Sequence, residues 1–340
     1  MPSLLLQKPS FKSTSKQHSE CLKRRISLWK DGDFDALVRE ARTIQSKLKS
    51  SNSSRSPEHL AKTFSKLMLQ GKTHAALKLL EKGASNGILG LSDDVISNLK
   101  SKHPDAADAD ESVLLKGDVP FVDPVMFEHI DESTISKAAL RTRGAGGPSG
   151  LDADGWRRML VSRNYGKYGV ELRKSIATMA KRLSTHEFND FSSLEPYVSC
   201  RLIPLDKNPG VRPIGIGEVL RRIVGKAIIS VIKPEILESS GSLQLCAGLP
   251  SGCEAAVHAM TEIYERDSTD AILLVDASNA FNSLNRKVLL HNIRYLCPPM
   301  ATYVRNCYGV PSRLFITGGK KLPQQKERLK GILLQCQLTQ

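Results

Sequence analysis

Apolar positions along this chain recur mostly at helical spacing, broken in a few places by runs that read as strands. From about residue 21 to 50, Ile26, Trp29, Leu37, Val38, Ile44 and Leu48 mark a helical stretch. The Ser-rich "SSNSSRSPEH" that follows has no such pattern and reads as a linker. Phe64, Leu67, Met68, Leu77 and Leu80 predict a helix or helical hairpin over 60–83, with Gly83 as its stop. A capped helix over 92–106 ends at a proline. A strand or short helix, then a helix capped near Ser133, fills 122–140, and a further helix covers 169–183. Residues 197–205 and 211–216, separated by "DKNPG", predict a β-hairpin. Two amphipathic helices follow, over 218–237 and 254–266. The run Ala271 to Val275 is continuously apolar, the mark of a strand buried on both faces, and it ends on Asp276. Small residues, Phe281 and a further helix come next. This order does not alternate as a doubly wound sheet does, so the expected class is α+β.

Composition turns the picture toward a polyanionic partner. The 340 residues carry a formal net charge of +14, an excess that favours nucleic acid. Aromatic residues make up only 5%, so the core must be largely aliphatic. The seven cysteines form no C-x-x-C pair, which argues against a disulfide framework or zinc knuckle and for reduced thiols inside a cell, in nucleus or cytoplasm. No run approaches the ~18 apolar residues of a spanning helix, so no membrane association is expected. Residues 1–20 are Ser/Lys-rich and read as a disordered basic tail.

Three places carry candidate chemistry. Asp276 sits where the tip of an α/β strand meets ligands, and a buried carboxylate there needs a partner such as Mg²⁺. The plainer reading is a cap for the following helix. Lys207 in the hairpin turn and Arg212 on the return strand supply a point charge and a bidentate fork suited to a triphosphate, or are surface charges. "RTRGAGGPSGLDADGWRRML", residues 141–160, holds five glycines. It reads either as a clamp on an anion or template backbone, through its two leading arginines, or as a domain linker. The "QGKTH" of the second helical region is no P-loop, because no glycine stands five residues before Gly71.

"RLIPLDKNPGVRPIGIGEVLRRIVGKAI", "QLCAGLPSGCEAAVHAM" and "ILLVDASNAFNSLNR" follow one another in order and spacing. Together they resemble the fingers and early palm of reverse transcriptases of non-retroviral retrotransposons. "GGPSGLDADGW" resembles the template-contacting loop that precedes the fingers in that group. The resemblance covers 141–319. It implies a partial right-hand polymerase, fingers and incomplete palm, behind a helical N-terminal region. It implies that Asp276 is the first catalytic carboxylate, that it binds Mg²⁺ with the backbone carbonyl of Ala277, and that Phe281 is the steric gate against a ribose 2′-hydroxyl. Lys207 and Arg212 would grip the incoming dNTP, and the partners would be an RNA or DNA template-primer. The implied chemistry is two-metal phosphoryl transfer.

The family's Tyr-x-Asp-Asp element is missing, since no aspartate follows Asp276. So is its Gln-Gly-Asp-Pro motif. One permitted codon choice for "QKERLKGILLQCQ", read after skipping two bases, gives E-G-T-T-Q-G-D-P-L-A-M-P, which contains that motif. The sequence therefore predicts an out-of-frame tail over 320–340, with a helical extension over 21–140 and a partial polymerase domain over 141–319. The expected function is a fragment of a retroelement reverse transcriptase, ancestrally a DNA polymerase and inactive as written. The alternative is a non-enzymatic, basic nucleic-acid-binding protein. A phosphatase using Asp276 as nucleophile is disfavoured because Ser278 stands where a second aspartate belongs.

Overall fold

The computed structural model describes residues 2–7, 9, 13–47, 57–81, 87–103, 108–207, 210–242, 244–245, 251–276, 284–309 and 312–316. Among the described residues the fold is α+β, mostly helical with one three-stranded sheet. It divides into two compact units. One draws on 1–102, 202–215 and 316–320, the other on 103–201, 216–315 and 321–340. The hairpin joins the first unit through pairing with a segment distant in the chain. Ile88 forms an antiparallel bridge with Leu205, and Leu89 N–H donates to Pro204 O at 3.0 Å. Local sequence carries no trace of such a pairing.

In the first unit, α1 (Pro2–Leu5), α2 (Ser15–Lys30) and α3 (Phe34–Lys47) form an N-terminal group. α2 begins with a reciprocal cap: Gln17 N–H donates to Thr14 Oγ1 at 3.3 Å, and Thr14 N–H donates to Gln17 Oε1 at 2.9 Å. Gly32, at φ +77°, turns the chain into α3. Arg25 is buried; it donates to the carbonyls of Leu5 and Gln7 and pairs with Glu40 at 2.9 Å. This guanidinium ties the segment from Leu5 to Gln7 to α2, and the cap at Thr14 starts that helix. α4 (Pro57–Leu69) and α5 (Thr73–Glu81) are the expected helical hairpin, turning at Gly71 (φ +68°). α6 (Asp93–Ser101) is capped by Ser92 Oγ, which accepts from Val95 N–H.

The second unit is built on α7 (Glu132–Arg141), α8 (Ala153–Val161) and α9 (Gly166–Thr185). Asp131, rather than Ser133, caps α7 by accepting from Thr134 N–H at 2.8 Å. A single turn, α10 (Glu195–Val198), leads into β1 (Cys200–Asp206), which pairs with β2 (Val211–Gly217) across the expected turn, residues 202–215 of this hairpin belonging to the first unit. The strands run in the order β2-β1-β3, with β3 spanning Leu314–Ile316. α11 (Val219–Val231) and α12 (Lys233–Ser240) replace the one long helix expected over 218–237. Pro234 lacks the N–H and crowds the carbonyl four residues back, so the helix breaks at Ile232. Further along the chain lie α13 (Gly252–Tyr264), α14 (Arg286–Leu296) and α15 (Pro298–Tyr308). The core is largely aliphatic, with Ile135, Leu160, Leu183, Val224 and Ile228 buried, although Phe127 and Trp156 are buried as well. α15, which no sequence signal marked, adds Tyr303, Val304 and Cys307 to it.

One expectation is overturned. Residues 271–276 form no strand, and Leu273, Leu274 and Val275 are 87, 87 and 83% exposed. An apolar run becomes a buried strand only where neighbours pair with both its edges. Among the described residues none does.

Candidate nucleic-acid interface

The glycine-rich stretch is a built loop seated on the start of α11. Gly146 and Gly147 are there for space. A Cβ on Gly147 would lie 2.8 Å from Glu218 N and Gly217 C, and one on Gly146 would lie 2.6 Å from the backbone of Gly150. Close approach is possible only without side chains. Glu218, buried just before α11, accepts from Ser149 N–H at 2.7 Å through Oε1 and from Ser149 Oγ at 2.6 Å through Oε2. A carboxylate at a helix N-terminus is also favoured by the helix dipole. Ala153 N–H closes the loop onto Gly144 O at 3.2 Å. Asp152 then caps α8 at Gly155 N–H. The linker reading of this stretch does not survive these contacts.

Cations converge on the front of the loop. Lys226 Nζ donates to Arg141 O at 3.2 Å, and Arg157 donates to Thr142 O at 3.0 Å. Arg222 donates to Arg143 O at 2.6 Å and to Ala145 O at 2.5 Å. Arg222 and Lys226 are four residues apart on α11 and so share a face. Carbonyls at the end of α7 attract cations through the helix dipole. The side chains of Arg141 and Arg143 stay exposed. Asp154 offsets part of this charge by pairing with Arg157 at 2.7 Å. Cationic side chains held around an outward loop suit phosphate oxygens, the groups that dominate nucleic-acid contacts.

The adjacent Arg221 turns the other way. It is buried, donates to Val198 O at 3.4 Å and stacks 4.9 Å from the Tyr308 ring centroid. Tyr197 and Tyr303 hydroxyls meet beside it at 3.0 Å. Burial pushes the Cys307 thiol up, against the pull of Arg221. This cluster belongs to the core, and the two arginines of "LRR" therefore do different work.

The residues assigned from sequence fall elsewhere. Lys207 and Arg212 are exposed on the β1–β2 hairpin, where Lys207 N–H donates to Gly210 O at 3.0 Å. That hairpin lies in the first unit, and Asp276 in the second. Asp276 is exposed on irregular backbone. Ala277, Phe281 and the tail over 320–340 lie outside the described residues. Among the described residues no group of three or more His, Cys, Asp or Glu side chains is placed to hold a metal ion. One carboxylate does not make the donor set that two magnesium ions need. Sequence reading found Arg141 and Arg143 but missed Glu218, Arg222, Lys226 and Arg157. The spacing of Arg222 and Lys226 was the available signal.

No model of a known protein family matches this chain, and no curated protein matches it. No helix among the described residues is long and apolar enough to cross a membrane.

Proposed function

We propose that this chain is part of a retroelement reverse transcriptase domain, and that as it stands it binds nucleic-acid backbone without completing a polymerase site. The polymerase part of this reading rests on the order and spacing of the three motifs. The binding part is carried by one observation: Lys226, Arg157 and Arg222 pin the carbonyls of residues 141–145 and leave Arg141 and Arg143 exposed. Such a loop meets phosphates from a scaffold that is already rigid. Binding there reads charge and backbone, not base edges, and gains from counterion release. Single-stranded template or template-primer is the ligand class. In the ancestral enzyme Lys207 and Arg212 would hold the dNTP triphosphate, and Asp276 with the Ala277 carbonyl would hold Mg²⁺, whose role is to stabilise the attacking and leaving oxygens.

The test has two readouts on the full chain. A labelled single-stranded oligonucleotide should bind with an affinity that falls steeply as salt rises. A primed template with dNTPs and Mg²⁺ or Mn²⁺ should give no extension. Binding indifferent to salt overturns the first part. Synthesis that disappears on Asp276→Ala overturns the second.

A further inference from the structure

α13 is amphipathic, and its apolar side faces solvent. Val257, Met260 and Tyr264 stand at i, i+3 and i+7, with Ile263 at their flank. All four are exposed, Val257 and Tyr264 by 64 and 67%. Gly252 is the one residue of the helix that is buried. A helix of 13 residues is marginal in water by itself, and packing of its apolar face is what ordinarily holds one. Beside that face Glu254, Thr261 and Glu265 follow at i, i+7 and i+11, an acidic edge. Glu262 is paired with Arg266 at 2.8 Å, whereas no ion pair engages Glu254 or Glu265 among the described residues.

α4 carries the complementary pattern. A groove of about 490 Å³ lies along it, lined by Ala61, Lys62, Ser65, Lys66, Leu69 and Gln70. Ala61, Ser65 and Leu69 are four residues apart and share a stripe. The first two are small, which lets another helix approach closely, and Leu69 is 90% exposed. Lys62 and Lys66 form the neighbouring stripe, both exposed and without an ion pair among the described residues.

We propose that the chain self-associates by docking α13 of one copy into the α4 groove of a second copy. The apolar stripe of α13 meets Ala61, Ser65 and Leu69, and its acidic edge meets the lysine stripe, the helix-in-groove mode of recognition. Charge selects this occupant. Residues 252–265 hold three acids and no Lys or Arg, in a chain whose net charge is +14. A basic surface attracts such a helix, whereas an anionic lipid surface takes basic amphipathic helices. Size sets the strength. The two faces together cover on the order of 1,000 Å², the lower end for a specific contact, so association is weak and grows with concentration. Head-to-tail contacts of this kind close into a ring or run on into a chain. None of these residues belongs to the glycine loop or to the cations around it, so the inference stands apart from the nucleic-acid reading.

The experiment is sedimentation of the full chain from about 1 to about 100 µM, the range in which a contact of this size titrates. The average mass of wild type should rise with concentration to about twice the monomer or more. The variant Lys62→Glu, Lys66→Glu and the variant Glu254→Lys, Glu265→Lys should each stay monomeric, because like charges then face each other. Mixed in equal amounts they should associate again, since each supplies the charge that the other lacks. All four positions are exposed, so circular dichroism should show both variants folded as wild type. Met260→Glu should also abolish association while leaving oligonucleotide affinity unchanged. Wild type that stays monomeric throughout overturns the proposal. So does association that survives in both charge variants, or a mixture that stays monomeric. A monomer that instead sediments with phosphatidylcholine vesicles, and ceases to on Met260→Glu, gives the face to lipid and overturns it as well.

Discussion

Single residues decide whether the glycine loop is a platform or a tether. Glu218 commits both oxygens to Ser149, so removing the carboxylate leaves a buried N–H and hydroxyl without their acceptor. Glu218→Ala should destabilise the protein by about 1–3 kcal/mol in urea denaturation, and Glu218→Gln by less, because its amide oxygen still accepts from Ser149 N–H. An alanine variant as stable as wild type would mean the loop is not anchored there. Glu40 makes a second residue-scale test. Burial alone would push its carboxyl up, but the bonds from Arg25 and Arg24 outweigh burial and hold it low. Its folded-state pKa therefore lies below its unfolded value of about 4.3. The stability it contributes is complete above that value and is lost as pH falls through the lower folded one. Stability measured from about pH 6 down to about pH 3 should fall more steeply in wild type than in Glu40→Gln. Parallel curves would contradict this role for the Arg25–Glu40 pair.

At the scale of elements, what sequence revealed follows from how local each determinant is. The α4–α5 hairpin, α6 and the β1–β2 hairpin were legible because periodicity, a cap or a turn lies within a few residues of each. Pro234 was visible too, but the apolar pattern on both sides of it suggested one helix, and only the break at Ile232 shows that the ring prevailed. α15 escaped notice because its core residues, Tyr303 and Cys307, are weak helix signals. The run at 271–275 misled in the other direction. Its residues have the propensity of a central strand, yet pairing partners decide strands, and no local signal reports them. The double variant Leu273→Ser, Leu274→Ser tests this directly. Exposed residues should change stability by no more than about 0.5 kcal/mol and reduce aggregation, since an apolar stretch leaves the surface. A buried strand would instead lose several kcal/mol, roughly 2–5 per leucine. A large drop in melting temperature would restore the strand.

For the whole molecule, charge is the broadest signal and motif spacing the most specific. The excess of +14 says only that a polyanion is favoured. The structure gathers cations at one place, where α7, α8 and α11 bring Arg157, Arg222 and Lys226 to the loop carrying Arg141 and Arg143. Half of that site was legible, as two arginines before a glycine run. Arg222 and Lys226 depend on helices about 80 residues apart in the chain folding together, which no local reading supplies. The residues of the resemblance stand differently. Lys207, Arg212 and Asp276 are recognisable by spacing, and the two cations share a hairpin end, while Asp276 is exposed and no metal-holding group of three or more His, Cys, Asp or Glu is found among the described residues.

The most direct test is the salt dependence of oligonucleotide binding in wild type and in the double variant Arg141→Ala, Arg143→Ala. Each phosphate contact contributes about 0.7 to the slope of log affinity against log salt for a single strand, so the variant should bind more weakly with a slope reduced by about 1.4. An unchanged slope with unchanged affinity would place the nucleic acid elsewhere on the molecule and contradict the loop as the interface.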